Sequence, residues 1–258
     1  MTSSSGHPSD SRADDPPGSA ATWPDWPAGP GGPGLPLVLD VSGRPCLVVG
    51  GGPVAARKIR SLVEAGAVVT VVAPEVVTAV DTLAAARSGV VTVERRPYRS
   101  GEASGHALVV TATGDPTVDD RVVADARAAG VLVNRADGNP EGRRGTVQLP
   151  AVLRRGLVTV AVSTGGASPA LSRWLRDRLA ASLPAELATV AGLLDEARAA
   201  LRAAGRPTDS VRWTALLDDT VLPLVEAGRV DDARAALRAA LTGTDDSSGQ
   251  AGPGAPEP

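Results

Sequence analysis

Short apolar runs alternate with amphipathic stretches over most of the chain. The runs are rich in valine and occupy residues 45–49, 68–72, 90–94, 106–112 and 131–134, and apolar residues at helical spacing occupy residues 54–65, 75–87 and 116–129 between them. Strands that alternate with helices indicate a parallel sheet covered on both faces. Nearly continuous valine runs indicate the same arrangement, because strands buried on both sides do not alternate with polar residues. The pattern predicts an α/β fold with a Rossmann-like, doubly wound parallel sheet.

The pattern changes after Gly145. Two further strand-like runs, residues 146–149 and 157–163, flank Arg154-Arg155-Gly156, a polar sequence typical of a turn. A long helix is predicted next, at residues 169–182. Three more amphipathic stretches, at residues 184–204, 210–227 and 230–241, predict a helical C-terminal region.

Composition sets the two ends of the chain apart. Residues 1–34 and 242–258 are rich in Ser, Pro, Gly and Asp, and such segments have too little apolar surface to form a core. We therefore expect two disordered tails. Between them we expect a nucleotide-binding domain at residues 35–145, a small αβ region at residues 146–183 and a helical region at residues 184–241.

Charge and composition narrow the possible partners. The sequence contains no apolar run of the length that a signal peptide or a membrane span requires, so we expect a cytoplasmic protein with no membrane partner. A net charge of −3 gives no reason to expect a nucleic-acid partner. One cysteine and two histidines are too few for a disulfide framework or a cluster of metal ligands, and we expect no bound metal ion.

A glycine-rich sequence follows the first predicted strand. Residues 46–55 read Cys-Leu-Val-Val-Gly-Gly-Gly-Pro-Val-Ala, which fits the dinucleotide-binding pattern G-x-G-x-x-A with Gly50, Gly52 and Ala55 at the three fixed positions. The first glycine allows a tight turn, the second lets a pyrophosphate approach the backbone, and the small third residue lets the helix pack closely on the strand. The N–H groups at the helix start would receive the phosphates. A glycine turn in another doubly wound fold is the alternative.

The second predicted strand lacks the usual ribose-binding acid. An acidic residue is expected at its end, but the sequence there is Val72-Ala73-Pro74, with Glu75 just beyond. Either Glu75 or the backbone around Pro74 would hold the ribose, and the absence of arginine favours NAD over NADP. The predicted cofactor-binding residues are Gly50, Gly51, Gly52, Pro53, Val54, Ala55, Pro74, Glu75 and Thr113.

Several segments taken together resemble one family. They are Gly-Gly-Gly-Pro-Val-Ala-Ala-Arg-Lys at 50–58, Val-Val-Ala-Pro-Glu at 71–75, Val-Thr-Ala-Thr at 110–113, Val-Asn-Arg-Ala-Asp at 133–137 and Val-Ala-Val-Ser-Thr-Gly-Gly-Ala-Ser-Pro at 160–169. This combination resembles the precorrin-2 dehydrogenase/sirohydrochlorin ferrochelatase family, which is also the N-terminal module of siroheme synthases. The resemblance covers residues 37–183. It implies NAD-dependent oxidation of precorrin-2 to sirohydrochlorin, with Fe²⁺ as a further substrate in members that also insert the metal.

The resemblance also implies a catalytic aspartate at Asp137. Because this residue follows the fifth predicted strand, it would lie at the sheet edge where doubly wound folds bind ligands, and its carboxylate could act as a general base. Ala-Asp-Gly-Asn-Pro is equally typical of a turn, so from the residues alone Asp137 could be a turn residue. Asn134 would orient Asp137, the cofactor or the substrate, or would simply end the strand.

The segment before the helix at 169–182 is the second predicted substrate contact. Ser168 is a plausible N-cap and Pro169 a plausible first helical residue. A helix start binds anions, and the substrate implied by the resemblance carries many carboxylates. Ser163, Thr164, Gly165 and Ser168 are therefore predicted to bind substrate, with an ordinary capped loop as the alternative.

The resemblance implies a homodimer formed by the two strands after Gly145 and the helix that follows them. Two other functions fit the glycine motif. One is a non-catalytic, NAD-sensing regulator, which has no need of Asp137 or of residues 163–169. The other is a dehydrogenase of a different small substrate.

Overall fold

A computed structural model describes residues 34–137 and 145–242 of the chain. Within these residues, 37–242 belong to one compact unit, and residues 34–36 belong to a separate one, in which they are exposed and form no regular element. The predicted tails fall outside the described residues, apart from Gly34 and Thr242. No helix in the described part of the chain combines the length and the apolar character needed to cross a bilayer.

The first half of the chain forms a five-stranded parallel sheet in the order β3-β2-β1-β4-β5. Its strands are β1 (Pro45–Val49), β2 (Val68–Ala73), β3 (Val91–Arg95), β4 (Leu108–Thr111) and β5 (Leu132–Arg135), and its helices are α1 (Pro53–Glu64), α2 (Thr78–Ala86) and α3 (Pro116–Ala128). We call residues 37–137 the nucleotide-binding region. The strand order changes direction between β1 and β4, and doubly wound folds bind ligands in the crevice at such a point.

The valine runs of the central strands β1 and β4 are buried on both sides, as their composition predicts. In β1, Cys46 and Val48 face a core shared with α1 and α2, while Leu47 and Val49 face a second core shared with α3. All four side chains are at most 2% exposed. The predicted fold class is confirmed.

The second sheet differs from its prediction. It is a two-stranded antiparallel hairpin of β6 (Ala151–Arg155) and β7 (Val158–Val162), covered by helix α4 (Pro169–Ser182). We call residues 149–182 the hairpin region. The predicted strand at residues 146–149 is wrong. The turn predicted at Arg154-Arg155-Gly156 is correct only at Gly156, because both arginines lie in β6 and the turn consists of Gly156 and Leu157.

The reason for both errors lies in the backbone partners of this segment. Val147 donates its N–H to the carbonyl of Val133 at 3.1 Å, so the segment before β6 lies along β5 instead of pairing with β7. Arg155 belongs to the strand because it pairs with Val158 of β7, and its guanidinium reaches the carbonyl of Ala180 in α4, at 3.4 Å. Gly156, with a φ of +55°, takes the turn in the left-handed conformation that glycine favours.

The C-terminal helices enclose their own core. They are α5 (Leu187–Ala203), α6 (Trp213–Leu216), α7 (Leu222–Glu226) and α8 (Val230–Thr242). The helical stretch predicted at residues 210–227 is confirmed from Trp213 to Glu226, and within it a π-helical segment, Leu217–Val221, lies between α6 and α7. Pro223 is the second residue after this segment, and proline has no N–H for the usual helical hydrogen bond. The widened turn accommodates that loss.

Candidate cofactor and catalytic site

Four of the parallel strands end at one edge of the sheet and carry most of the predicted site. Val49 pairs with Val72 and Thr111, and Thr111 pairs with Arg135. The glycine turn after β1, the Pro74–Glu75 loop after β2, Thr113 after β4 and Asp137 after β5 therefore lie along the same edge. The sequence motifs are brought together where the fold binds ligands.

Two of the three glycines are required by the chain itself. A Cβ atom on Gly50 would lie well under 3.0 Å from the carbonyl oxygen of Ala112, at the end of β4, and the φ of Gly50 is +122°. A Cβ atom on Gly51 would lie equally close to the carbonyl oxygen of Glu75, and the carbonyl of Gly51 accepts the N–H of Val77 at 2.9 Å. The glycine turn is thus held between the ends of β4 and β2.

Gly52 has a different environment. Among the described residues, no heavy atom lies within 4 Å of the position that its Cβ would occupy. Gly52 is the N-cap of α1, without a side-chain cap, and Pro53 begins the helix. Ala55 is fully buried, which lets α1 pack closely on the sheet. The space at the start of α1 is therefore open, and it fits the predicted phosphate-binding role.

The loop after β2 places Glu75 beside the glycine turn through its backbone. The carbonyl oxygen of Glu75 faces Gly51, whereas Pro74 and Glu75 are exposed. Val54, on the first turn of α1, is also exposed. Both predicted ways of holding a ribose, through the Glu75 carboxylate or through backbone groups, are compatible with this placement.

The loop after β4 depends on an aspartate that the sequence analysis missed. Asp119 in α3 is fully buried and accepts hydrogen bonds from the hydroxyls of Thr113, at 2.7 Å, and of Thr111. The hydroxyl of Thr113 also accepts the N–H of Asp115 at 3.0 Å. Thr113 therefore fixes the turn between β4 and α3. Its hydroxyl is engaged within the chain, and the backbone at Ala112 lies against Gly50.

Asp137 is held by a buried arginine. The Nε and Nη2 atoms of Arg135 donate to the two carboxylate oxygens of Asp137 at 2.7 and 2.9 Å, and Nη1 donates to Asp120 in α3. The Arg135 side chain is 1% exposed and that of Asp137 is 31% exposed. The hydrogen bonds that the guanidinium donates to Asp137 raise the pKa of Arg135 most, and the one donated to Asp120 adds to this against the lowering effect of burial, so the charge of Arg135 is permanent.

Arg135 and Asp120 were not predicted as site residues. A signal was present in the sequence, because an arginine within a buried strand needs an anionic partner. Val133-Asn134-Arg135 is such a strand, and Asp137 is the acid next to it. The identity of the second partner, Asp120, depends on how α3 packs on the sheet and has no counterpart in a local motif.

Asn134 lies inside the protein. It is 6% exposed, and its side-chain N–H donates to the carbonyl of Val147 at 3.1 Å. Its Oδ1 atom is buried and has no hydrogen-bond partner among the described residues. The amide thus fastens the segment leading to β6 onto strand β5. A contact with substrate stays a prediction.

The predicted substrate loop is organised by its own hydroxyls. Ser168 caps α4 by accepting the N–H of Leu171 at 3.1 Å, and the hydroxyl of Thr164 accepts the N–H of Ser168, also at 3.1 Å. The Ser163 hydroxyl accepts the N–H of Gly165 at 3.2 Å. The predicted cap is confirmed, and hydrogen bonds within the loop set its shape. Among the described residues, no group of three or more His, Cys, Asp or Glu side chains is arranged to hold a metal ion.

Two protein-family models match the segments of the chain that contain the sequence motifs. A family model described as NAD(P)-binding matches residues 37–151, and a model described as the central part of sirohaem biosynthesis proteins matches residues 155–182. The predicted nicotinamide dinucleotide cofactor agrees with the first match.

Relatives and a solved structure extend these matches. The siroheme synthase of Methylococcus capsulatus is 38% identical over 170 residues, which are 66% of this chain and 35% of that protein. That of Azotobacter vinelandii is 40% identical over 168 residues, 65% of this chain and 35% of that protein. The chain spans about a third of the length of these relatives. The structure of SirC, a precorrin-2 dehydrogenase, superposes with a TM-score of 0.60 at 27% identity, over 81% of this chain and 99% of that one.

The two matched segments follow the same order as the sequence motifs, and the SirC superposition covers 81% of the chain. Residues 37–151 are thus similar to NAD(P)-binding modules, and residues 155–182 to the central part of sirohaem-biosynthesis proteins.

Proposed function

We propose that the protein oxidises precorrin-2 to sirohydrochlorin with NAD⁺ as the hydride acceptor. The observation that carries the proposal is the shared edge of the sheet. The open start of α1, after β1, and the partly exposed carboxylate after β5 lie at this edge with one strand, β4, between them. The names of the similar proteins agree with this reaction. SirC, which superposes on the chain, is a precorrin-2 dehydrogenase, and the relatives that match the chain are siroheme synthases.

The residues at the glycine turn fit a dinucleotide. The N–H groups at the start of α1 would hold the pyrophosphate, since no protein atom occupies the space beside Gly52. The Pro74–Glu75 loop would hold the ribose, and the turn at Thr113 would form the opposite wall of the crevice. When bound there, NAD⁺ supplies a hydride acceptor.

Dehydrogenation of the macrocycle releases a hydride and a proton as a new double bond forms. The hydride goes to the nicotinamide, which leaves one proton for the protein or solvent to accept. Asp137 supplies a carboxylate at the correct edge, and its side chain is 31% exposed. Asp137 is therefore our proposed general base, and the turn role remains its alternative.

The substrate would lie between this crevice and the loop before α4. Precorrin-2 carries several carboxylates, and the start of a helix is favourable for negative charge. Ser163, Thr164, Gly165 and Ser168 line the start of α4, and Asn134 fixes the chain segment between the two regions. We propose these residues as substrate contacts.

A homodimer formed through the hairpin region completes the proposal. Two-stranded hairpins are marginally stable alone, and Ser172 is the only buried residue in α4. The region exposes large apolar side chains, namely Leu149, Val152, Leu157, Leu171, Trp174 and Leu179, each 36–68% exposed. A second copy of the same surface would cover them, and such patches commonly mark interfaces.

The test is incubation of the purified chain with precorrin-2 and NAD⁺ under anaerobic conditions. We expect NADH and sirohydrochlorin in equal amounts, and neither product when NAD⁺ or protein is omitted. Tight NAD⁺ binding without turnover would favour the regulator instead, and turnover of a different substrate would favour the other dehydrogenase. Addition of Fe²⁺ to the product, with and without protein, tests metal insertion separately.

A further inference from the structure

The charge of Arg135 lies inside the protein, directly beneath the proposed base. Its side chain is 1% exposed, at the end of the buried strand β5. Removing a guanidinium from water is costly unless carboxylates pair with it and take up its hydrogen bonds. Arg135 meets this condition through Asp120 on one side and Asp137 on the other.

The pairing with Asp137 is a two-point contact. Two parallel N–H groups of one planar guanidinium bind the two oxygens of the carboxylate, at 2.7 and 2.9 Å. Such a fork fixes the plane of the carboxylate as well as its position. The third contact, from Nη1 to Asp120, attaches the guanidinium to helix α3. The orientation of Asp137 is thereby tied to the packed core and not to the turn in which it lies.

The side chains of Arg135 and Asp137 differ in solvent exposure, as expected if the carboxylate acts as a base. The cation is enclosed at 1% exposure, whereas the carboxylate is 31% exposed. A proton arriving from the crevice would therefore meet a carboxylate whose direction is already set.

We propose that Arg135 is a positioning residue that holds the carboxylate of Asp137 toward the cofactor crevice in the orientation needed to take the substrate proton. This inference rests on the proposed function, because it assigns Arg135 a role through Asp137. Arg135 itself touches neither substrate nor cofactor in this arrangement.

Arg135→Lys is the most direct test. Lysine keeps the buried charge but is a single point donor and cannot form the fork. With precorrin-2 and NAD⁺, we expect kcat to fall by about ten- to a hundredfold, as for other small misplacements of a reacting group. The KM for NAD⁺ should stay within about twofold of wild type, because phosphate contacts come from α1. Arg135→Met, which also removes the charge, should lose at least as much.

Arg96→Lys is the matched control. Arg96 likewise binds two carboxylates, those of Glu102, at 2.6 Å, and Glu94, but it follows β3 at the far side of the sheet. Both lysine variants weaken an arginine–carboxylate pair, and both should remain folded by circular dichroism. Only Arg135→Lys should lower kcat.

Equal kcat values for the two lysine variants, both near wild type, would overturn the proposal. If wild-type protein does not oxidise precorrin-2, the proposed function fails first, and crystal structures of wild type and Arg135→Lys then decide the positioning role. An Asp137 carboxylate in the same orientation in both structures contradicts it. A carboxylate that leaves the crevice in the variant supports it.

Discussion

The nucleotide-binding region and the hairpin region differ in how far they bury their apolar side chains. In the nucleotide-binding region, each face of the sheet has its own core, and β1 contributes side chains to both. In the hairpin region, α4 packs on two strands, yet none of the three apolar cores includes a residue of α4, β6 or β7. The first region is complete within one chain, whereas the second leaves an apolar surface open. We therefore expect cofactor chemistry to depend on the first and assembly on the second.

The largest effect is expected from Asp137, at the edge of the nucleotide-binding region. Asp137→Ala removes the proposed base, and loss of a general base typically lowers the rate by about 10²–10⁴-fold. NAD⁺ affinity should change little, because the phosphate contacts come from the backbone around Gly52. Turnover of precorrin-2 and calorimetric NAD⁺ binding measure the two quantities.

Asp137→Asn separates catalysis from the turn. Asparagine serves turns as well as aspartate does, but it cannot accept the proton and it weakens the pairing with Arg135. A catalytic Asp137 predicts an Asn variant nearly as slow as the Ala variant. Near-normal turnover in the Asn variant would remove the catalytic role from Asp137.

The next-largest effects are expected at two adjacent glycines of the same region, where one substitution should lower stability and the other should abolish NAD⁺ binding. Gly51→Ala places a Cβ atom against the carbonyl oxygen of Glu75, and such overpacking typically costs about 1–3 kcal/mol. Gly52→Asp meets no protein atom, and aspartate is a favourable N-cap, so the fold should persist. Its charge and bulk would occupy the proposed pyrophosphate space, so NAD⁺ affinity should collapse.

Chemical denaturation and calorimetry test this division. Gly51→Ala should lower the free energy of unfolding, whereas Gly52→Asp should leave it nearly unchanged and abolish NAD⁺ binding. A folded Gly52→Asp protein with wild-type NAD⁺ affinity would show that the cofactor lies elsewhere.

The hairpin region is tested by its assembly. Trp174 is 56% exposed on α4, with the guanidinium of Arg178 over its ring at 5.3 Å. Trp174→Asp places a charge in the proposed dimer interface and should shift the protein from dimer to monomer in sedimentation velocity. Val68→Asp is the control, since Val68 is 40% exposed at the start of β2 in the nucleotide-binding region. A monomeric wild type would rule out the proposed homodimer.

The same difference between the regions explains how far the sequence could predict the fold. The strands of the nucleotide-binding region are valine runs whose burial on both faces leaves a strong local signal. In the hairpin region, strand β6 ends in Arg154 and Arg155, which are strand residues because they pair with Thr159 and Val158 of β7, although their polar side chains are typical of a turn. The displaced segment 146–149 follows β5 because of hydrogen bonds to Val133. Such long-range partners leave no periodicity in the sequence.

The candidate site was predictable to the same extent. The glycine turn and Asp137 stand next to strand ends, so their places follow from the order of elements. Asp119 and Asp120 act from α3, one turn or more away from any motif, and their role depends on the packing of α3 against β4 and β5. The requirement for glycine at position 51 could not be predicted either, because it depends on the backbone of Glu75 in another loop.

The smallest effects are expected from the loss of a helix N-cap, and each region contains one such cap. Asp115 caps α3 by accepting the N–H of Thr117 at 2.8 Å, and Ser168 caps α4 by accepting the N–H of Leu171 at 3.1 Å. Replacing either by alanine should cost about 1 kcal/mol. Asp115→Ala should show this loss in the free energy of unfolding, with the KM for precorrin-2 unchanged.

Ser168→Ala carries a second readout, because Ser168 is also a proposed substrate contact. If the hydroxyl only caps α4, the variant should resemble Asp115→Ala, with a similar loss of stability and an unchanged KM for precorrin-2. If it also binds a substrate carboxylate, the KM should rise by about tenfold, the equivalent of one charge-assisted hydrogen bond. The KM for NAD⁺ should stay constant in either case, because the cofactor site lies in the other region. An unchanged KM for precorrin-2 in Ser168→Ala would therefore limit Ser168 to the cap.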